Sequence, residues 1–364
     1  MASLPGSADR PVLVTGGAGF VGTNLADRLV RSGRRVVVLD DLSRAGVDRN
    51  LEWLKATHGD AVTVEIGDVR DRDTVNRVVG RASAVFHLAA QVAVTTSLTG
   101  PRHDFEVNAL GTFNLLEAVR AQSEPPPLLF SSTNKVYGSL SDLSLDELDD
   151  RYEPSEACNA RGVRESRPLD FHSPYGCSKG AADQYVLDYG RSYGLRTAVF
   201  RMSCIYGPHQ CGTEDQGWVA HFLLAARAGR PITLYGTGKQ VRDILFVEDL
   251  VEAFVLGLRH IDRLSAEAYN IGGGAGNAVS LRQVLRIIEQ LTGRPVQAEY
   301  GPWRTGDQPW YVSDTGRFRA ATGWSPKVGF EEGIGRLNDW FDGRVRGTAE
   351  PAPLRTAGAR LGGL

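Results

Sequence analysis

The feature that most constrains this chain is the join between its first apolar run and its first helical stretch. Pro11–Thr15 (PVLVT) reads as a buried strand. Thr15-Gly16-Gly17-Ala18-Gly19-Phe20-Val21-Gly22 carries it directly into a helical pattern from about Phe20 to Ser32. Glycines let the backbone turn tightly and be approached closely. A helix N-terminus behind such a turn offers free N–H groups and the positive end of the helix dipole, which together seat a pyrophosphate. The spacing of Gly16, Gly19 and Gly22 is G-x-x-G-x-x-G, slightly different from the G-x-G-x-x-G dinucleotide fingerprint. Any tight strand-to-helix turn could show it, so the surrounding pattern has to decide.

That pattern is an alternation of short apolar runs and longer helical periods. Arg35–Asp40 (RVVVLD), Ala61–Ile66, Ala84–Ala89 (AVFHLA), Leu128–Ser132 (LLFSS) and Arg196–Met202 read as further strands. Helical patterns lie between them, notably Asp104–Ala121 and Pro174–Tyr193. Strands alternating with helices predict an α/β fold with a parallel, doubly wound (Rossmann) sheet. Asp40 then ends the second strand, where an acidic residue meets ribose hydroxyls. A carboxylate there repels a 2′-phosphate, which favours NAD over NADP; Arg44, close by, leaves NADP open. Asp68 ends the third strand, where it can either face an adenine or cap the helix that follows Arg70.

A polar stretch, Ser139–Asp170, interrupts the alternation, and a segment this long inside a compact domain is usually functional or disordered. After Gly207 the rhythm changes, with helices at about Trp218–Ala228, Val247–Leu258 and Leu281–Thr292. The organisation expected is a dinucleotide-binding domain over 11–205, with 237–263 returning to it. A smaller substrate domain is expected over 206–236 and 264–343, with unstructured tails at 1–10 and 344–364. The composition is that of a globular protein, 42% hydrophobic and 23% charged over 364 residues. A net charge of −2 gives no support to a nucleic-acid or membrane-surface role. No apolar run reaches the roughly 18 residues of a membrane-spanning helix, and Met1–Arg10 shows no signal-peptide core. Four irregularly spaced cysteines, Cys158, Cys177, Cys204 and Cys211, suit neither a disulfide framework nor a zinc site. A cytoplasmic enzyme with reduced thiols and no metal is the expectation, with a homodimer as the general prior.

Tyr175-Gly176-Cys177-Ser178-Lys179 places a tyrosine and a lysine at i and i+4, on one face of a helix. A lysine ammonium can lower the tyrosine pKa and hold a nicotinamide ribose, and the tyrosinate can take a hydroxyl proton as hydride leaves. Such a pair also occurs by chance on solvated helix faces. Ser131-Ser132-Thr133 ends the fifth strand, and ligands bind at the carboxyl ends of strands in open α/β sheets. A hydroxyl there can bridge a substrate oxygen to the tyrosine, or simply cap the turn.

Together these stretches resemble the extended short-chain dehydrogenases/reductases. The likeness rests on the Gly16/Gly19/Gly22 turn, His87-Leu88-Ala89-Ala90, Thr133, Val136-Tyr137-Gly138, Tyr175/Lys179 and Arg201-Met202-Ser203-Cys204-Ile205-Tyr206-Gly207-Pro208, and spans about residues 11–343. It implies Thr133, Tyr175 and Lys179 as the catalytic trio. For the cofactor, NAD, it implies Gly16, Gly19, Phe20, Val21, Gly22, Asp40, Asp68, Val69, Leu88, Ala89, Ala90, Asn108, Tyr175 and Lys179. It implies Arg242 and Arg304 as the clamp on a substrate diphosphate, and bidentate arginines suit that anion in any family; either could instead be a solvated surface charge.

The neighbours of Thr133 narrow the reaction. The nucleotide-sugar 4,6-dehydratases of this family carry Thr-Asp-Glu before Val-Tyr-Gly, and here the segment is Thr133-Asn134-Lys135-Val136-Tyr137-Gly138. An amide and an ammonium cannot take over the proton transfers of two carboxyl groups, which leaves redox at a carbinol. Ala89 to Ser97, Ser132 to Gly138, Leu169 to Gly180 and Glu214 to Ala220 resemble the CDP-paratose (CDP-tyvelose) 2-epimerases. So does Cys204, where many sugar-nucleotide epimerases have Asn. That resemblance implies Gln91, Thr133, Asn134, Cys204, Gln216, Trp218, Val219, Arg242 and Arg304 around the substrate. The implied function is NAD-dependent inversion of C2 of an NDP-hexose, such as CDP-paratose to CDP-tyvelose, through a 2-keto sugar. An NDP-sugar 4-epimerase and a non-catalytic NAD-binding sensor or scaffold are the alternatives. Ser139–Asp170 and Glu214–Trp218 are candidates for closing the pocket.

Overall fold

The computed structural model describes residues 9–304 and 306–347. Five strands come first: β1 (Val12–Thr15), β2 (Val36–Asp40), β3 (Val62–Ile66), β4 (Ala84–His87) and β5 (Leu128–Thr133). β6 (Leu145–Glu147) and β7 (Tyr152–Pro154) make a separate antiparallel ribbon. β8 (Thr197–Met202) returns to the main sheet, while β9 (Cys204–Tyr206), β10 (Ile232–Tyr235) and β11 (Val241–Phe246) leave it. β12 (Glu267–Ile271) comes back to pair in parallel with β8. The result is an all-parallel sheet of seven strands in the order β12-β8-β5-β4-β1-β2-β3.

Strands covered on both faces need unbroken apolar runs, and VLVT, VVVLD and LLFSS supply them. The helices Phe20–Arg31, Val47–His58 and Val247–Arg259 cover one face through Leu25, Leu29, Leu54, Leu250 and Phe254. Arg72–Val79, Gly111–Arg120 and Ser173–Tyr193 cover the other through Val75, Leu115, Leu116, Val186 and Leu187. Strand order reverses between β1 and β4, so a crevice opens at the carboxyl ends of these strands. Thr15, His87, Thr133 and Met202 are the last residues of β1, β4, β5 and β8.

The smaller unit has its own core, where the helices Trp218–Arg227, Leu281–Thr292 and Phe330–Gly347 meet β10, β11 and β9. β13 (Ala278–Ser280), β14 (Ala298–Gly301) and β15 (Trp310–Tyr311) complete it, β14 beside β10 and the other two flanking β11.

Four expectations change. β12 lies in the segment assigned to the smaller unit, and β11, expected to return, stays off the main sheet, so the returning piece runs from 247 to 271 rather than from 237 to 263. The single helix expected over Asp104–Ala121 is Pro101–Phe105, a π-helical turn Glu106–Leu110, and Gly111–Arg120. Ser139–Asp170 carries the β6–β7 ribbon and packs Leu140 and Val163 against Trp310, Tyr311 and Val312. It braces the smaller unit. Of the expected tails, Arg10 is tied to the Gly80 carbonyl at 2.9 Å, and 344–347 continue the last helix. That helix buries Ile334, Leu337 and Phe341 at helical spacing. Residues 1–8 and 348–364 lie outside the described residues.

Candidate active site

A cleft of about 1120 Å³ runs from the glycine turn, across the carboxyl ends of the strands, into the smaller unit. Every site residue named from the sequence lines it except Asn108. At one end the backbone does the work. Gly16 has φ +65°, and a Cβ on it would stand 2.7 Å from the Ala89 nitrogen. A Cβ on Gly22 would stand 2.2 Å from the Gly16 carbonyl oxygen. No side chain caps the helix Phe20–Arg31, so its first N–H groups remain for a ligand. Asp40 accepts from the Ala18 and Leu42 N–H groups, both at 3.0 Å, which aims its carboxylate across the mouth of the turn. This donor set, an acidic residue behind a capless helix, fits NAD. Asp68 lines the cleft, accepts from the Arg70 N–H at 2.8 Å and pairs with the Arg70 guanidinium. The cap of the following helix is Asp71, whose side chain accepts from the Asp73 N–H at 3.1 Å.

In the middle of the cleft lie Thr133, Tyr175 and Lys179. The helix Ser173–Tyr193 packs against β5, which sets the lysine under the strand end. Lys179 Nζ donates to the Ser131 carbonyl at 2.6 Å and stands 4.1 Å from the centre of the Phe130 ring. Burial pulls the Lys179 ammonium down to about 7, against the opposing pull of Asp183 and Asp104. Burial pushes the Tyr175 phenol up to about 12; a hydrogen bond with Thr133 lowers it and Asp104 raises it further. The expectation that Lys179 lowers the Tyr175 pKa is therefore not met by these residues alone. The ammonium uses one of its three donors on the Ser131 carbonyl, and desolvation dominates the phenol.

The far end is built from charged side chains held in pairs. Arg242, on β11, bonds Asp307 at 2.5 Å. Lys135 donates to the Gly306 carbonyl at 3.1 Å and stands 3.9 Å from Asp307. Arg304 lies 3.8 Å over the Tyr235 ring and pairs with Asp215 at 3.3 Å and Glu214 at 3.6 Å. Burial pushes the Cys204 thiol up, with Arg242 beside it and a hydrogen bond from Trp218 opposing. Asn134 donates to Gln308 Oε1 at 3.3 Å. Gln216 and Thr213 close a tight turn through a 2.7 Å and a 3.2 Å backbone bond, and Trp218 opens the next helix beside the cleft.

Asn108 lies behind the wall. Its amide pairs with the Gln91 backbone, accepting from the N–H at 2.9 Å and donating to the carbonyl at 3.0 Å. The Gln91 side chain, expected on the substrate, donates instead to Asp104 at 2.8 Å and to the Ala93 carbonyl at 3.0 Å. Sequence reasoning does not single out Asp104, Tyr235 or Asp307. Asp307 had a signal, three residues after Arg304 in the same stretch; the other two have none, because their partners are remote in sequence.

Residues 12–272 match the NAD dependent epimerase/dehydratase family. The chain belongs to that family, and it is an NAD-dependent enzyme. It is 43% identical over 336 residues to a CDP-paratose 2-epimerase of Salmonella typhi, covering 90% of this chain and 98% of the relative. It is 34% identical over 330 residues to a UDP-glucose 4-epimerase of Mycolicibacterium smegmatis, covering 90% and 97%. Among solved structures, the Thermus thermophilus UDP-glucose 4-epimerase complex with NAD superposes with a TM-score of 0.77 at 35% identity, covering 92% of this chain and 100% of that one.

Proposed function

We propose that this enzyme inverts C2 of a CDP-hexose, with CDP-paratose and CDP-tyvelose as the substrate pair, within the broader activity of an NAD-dependent sugar-nucleotide epimerase. The observation that carries the reaction type is the fate of the two residues after Thr133. Asn134 is bonded to Gln308 and Lys135 to the Gly306 carbonyl. Neither carries the carboxyl group that a dehydration would need for its acid and base. The choice of C2 and of a cytidine nucleotide rests on the likeness to the Salmonella relative.

In this reading Tyr175 takes the proton of the C2 hydroxyl while Thr133 hydrogen-bonds the same oxygen. When bound, NAD would supply reversible hydride transfer and a positive charge favouring the ionised phenol, and Lys179 would hold its nicotinamide ribose. Arg242 and Arg304 keep the diphosphate while the 2-keto sugar turns its other face, and Tyr175 returns the proton. One C–H and one O–H bond break and both re-form, so there is no net oxidation. The walls must keep water and the keto sugar apart from bulk solvent. The 213–218 turn lines the cleft and is placed to do this; the Ser139–Asp170 segment does not line it.

The test is CDP-paratose deuterated at C2, incubated with the enzyme in ordinary water and read by NMR. Tyvelose-configured product that keeps its deuterium is expected. Inversion at C4 alone, or loss of the label to solvent, overturns the reading.

We also assign the enzyme to the cytoplasm and to a homodimer. All four cysteines are free, which suits a reducing compartment. No helix among the described residues is long and apolar enough to cross a membrane. Phe113 and Tyr185, 5.9 Å apart edge to face, are exposed with Phe105 and Tyr193 on neighbouring helices, a face suited to a second copy. Sedimentation of Phe113→Asp/Tyr185→Asp as a monomer, against a dimeric wild type, tests the assembly; a dimeric variant overturns it.

A further inference from the structure

Behind the catalytic helix lies a carboxylate that the mechanism above does not use. Asp104 is the penultimate residue of the helix Pro101–Phe105 and is inaccessible to solvent. It accepts three hydrogen bonds: from Ser178 Oγ, from Gln91 Nε2 at 2.8 Å, and from Asn108 Nδ2 at 3.3 Å. Burial pushes the Asp104 carboxyl up, and its hydrogen bonds with Ser178 and Gln91 oppose that by favouring the carboxylate. Each partner belongs to a different wall. Ser178 stands between Tyr175 and Lys179 on the catalytic helix. Gln91 is in the loop after β4 that lines the cleft. Asn108 lies in the π-helical turn Glu106–Leu110. Single π-turns inside helices occur frequently at functional sites. This one sets Asn108 so that it bonds Asp104, Ser178 and the Gln91 backbone together.

We propose that Asp104 is a positioning residue for the reaction: it locks the Tyr175/Lys179 helix to the Gln91 loop, and it places a second carboxylate, besides Asp183, in the field of the catalytic pair. A lysine buried beneath a strand end needs counter-charge to stay an ammonium. Asp183 cannot give all of its charge to Lys179, because its two oxygens are bonded by Arg201, both at 2.9 Å, and one also by Ser132. The other groups facing the pair are the Ser131 carbonyl and Phe130 ring of β5, Thr133, and His87 of β4. Burial takes His87 down to about 3, so it is neutral between Thr15 and Thr112. Asp104, by contrast, is hydrogen-bonded by the neutral groups of Ser178, Gln91 and Asn108, with no guanidinium on its oxygens. It supports the ammonium of Lys179 and opposes the phenolate of Tyr175.

Asp104→Asn tests this, because an amide keeps the shape while it removes the charge. Loss of that charge lowers the pKa of both the phenol and the ammonium. Both limbs of the turnover–pH profile with CDP-paratose should therefore slide to lower pH by roughly one unit, the scale of one charge acting through a partly screened interior. The same shift should appear without any sugar substrate, in the ultraviolet tyrosinate absorbance of the NAD-loaded protein. There the Tyr175→Phe variant of each background is subtracted to isolate Tyr175. This second measurement separates the proposal from the choice of substrate. A folded Asp104→Asn protein whose Tyr175 titrates where the wild type does overturns the electrostatic role. Ser178→Ala leaves the carboxylate and cuts the tether. It should lower turnover at least several-fold with the phenol titration unmoved, and wild-type turnover in it overturns the positioning role.

Discussion

The two ends of the cleft are built from different material. The cofactor end is mostly backbone, a glycine turn and a capless helix start, joined by two carboxylates, Asp40 at the end of β2 and Asp68 just past β3. The sugar end is side chains from β9, β11 and the 303–307 stretch, balanced in pairs such as Arg242–Asp307 and Arg304–Asp215. Backbone geometry is fixed by steric limits on φ and on close approach, so the cofactor end tolerates little change, and what discriminating it does falls to Asp40. Paired side chains can be re-paired, so the sugar end is where one relative is told from another. The Lys179–Tyr175 pair sits at the boundary and depends on both.

The comparison can be broken most severely at the cofactor end. Gly22→Ala puts a methyl group 2.2 Å from the Gly16 oxygen, and the turn must open to admit it. The expected outcome is a folded or partly folded protein with no retained NAD and no measurable turnover. NAD occupancy and turnover together check this, and a variant that still carries NAD breaks the distinction between the two ends. Next comes the boundary: Tyr175→Phe should lower turnover by roughly two to four decades with the fold intact, measured against circular dichroism of the same sample. At the sugar end the losses should be graded by burial. Arg242→Met leaves Asp307 without its main partner in a buried place and should lower kcat/KM by about a hundredfold, whereas Arg304→Met, at a wetter site, should lower it by about tenfold. Equal losses would show that the diphosphate rests on both alike.

The smallest effect is on stability. Lys179 titrates near 7 in the fold, against an ordinary value of 10.5. Between those values the unfolded chain binds more protons than the folded one, so stability rises with pH across that window. Below it the whole cost of the buried ammonium is present. Lys179→Met should therefore melt a few degrees higher than wild type near about pH 6, with the gain shrinking toward about pH 10. A gain independent of pH would locate the strain elsewhere.

What could be read from the sequence follows the same division. Gly16, Gly19, Gly22, Asp40 and the Tyr175/Lys179 spacing are local patterns, and local geometry fixes their meaning. The strands β1, β2, β4 and β5 announce themselves as unbroken apolar runs. β12 (EAYNI) does not, because it is short, polar at both ends of its apolar stretch and reached only after the chain has left the sheet. The π-turn at Glu106–Leu110 has no compositional mark, so EVNAL reads as ordinary helix. The Ser139–Asp170 segment reads as a cover for the pocket because its anchors, Leu140, Val163 and Leu169, stand singly among charges. The pairs that place the sugar end and the catalytic helix are remote: Asp104 with Ser178 is 74 residues apart, Arg242 with Asp307 is 65, and Lys135 with Gly306 is 171. No spacing rule reaches that far.

The return of the chain to the main sheet at β12 also sets what can be cut and exchanged. A fragment ending near residue 205 would carry the glycine turn and the catalytic tyrosine, yet it would present β8 as a bare edge and strip the cover from Phe200 and Leu129, which pack under the 247–259 helix. Open edges of this kind pair with other chains. The cofactor end is thus completed by sequence that lies beyond the first sugar-end strands, and the two cannot be traded as blocks. Any graft of a new sugar specificity onto this scaffold has to be made as an interleaved patchwork: replace 204–246 and 278–311, and leave 247–271 in place between them.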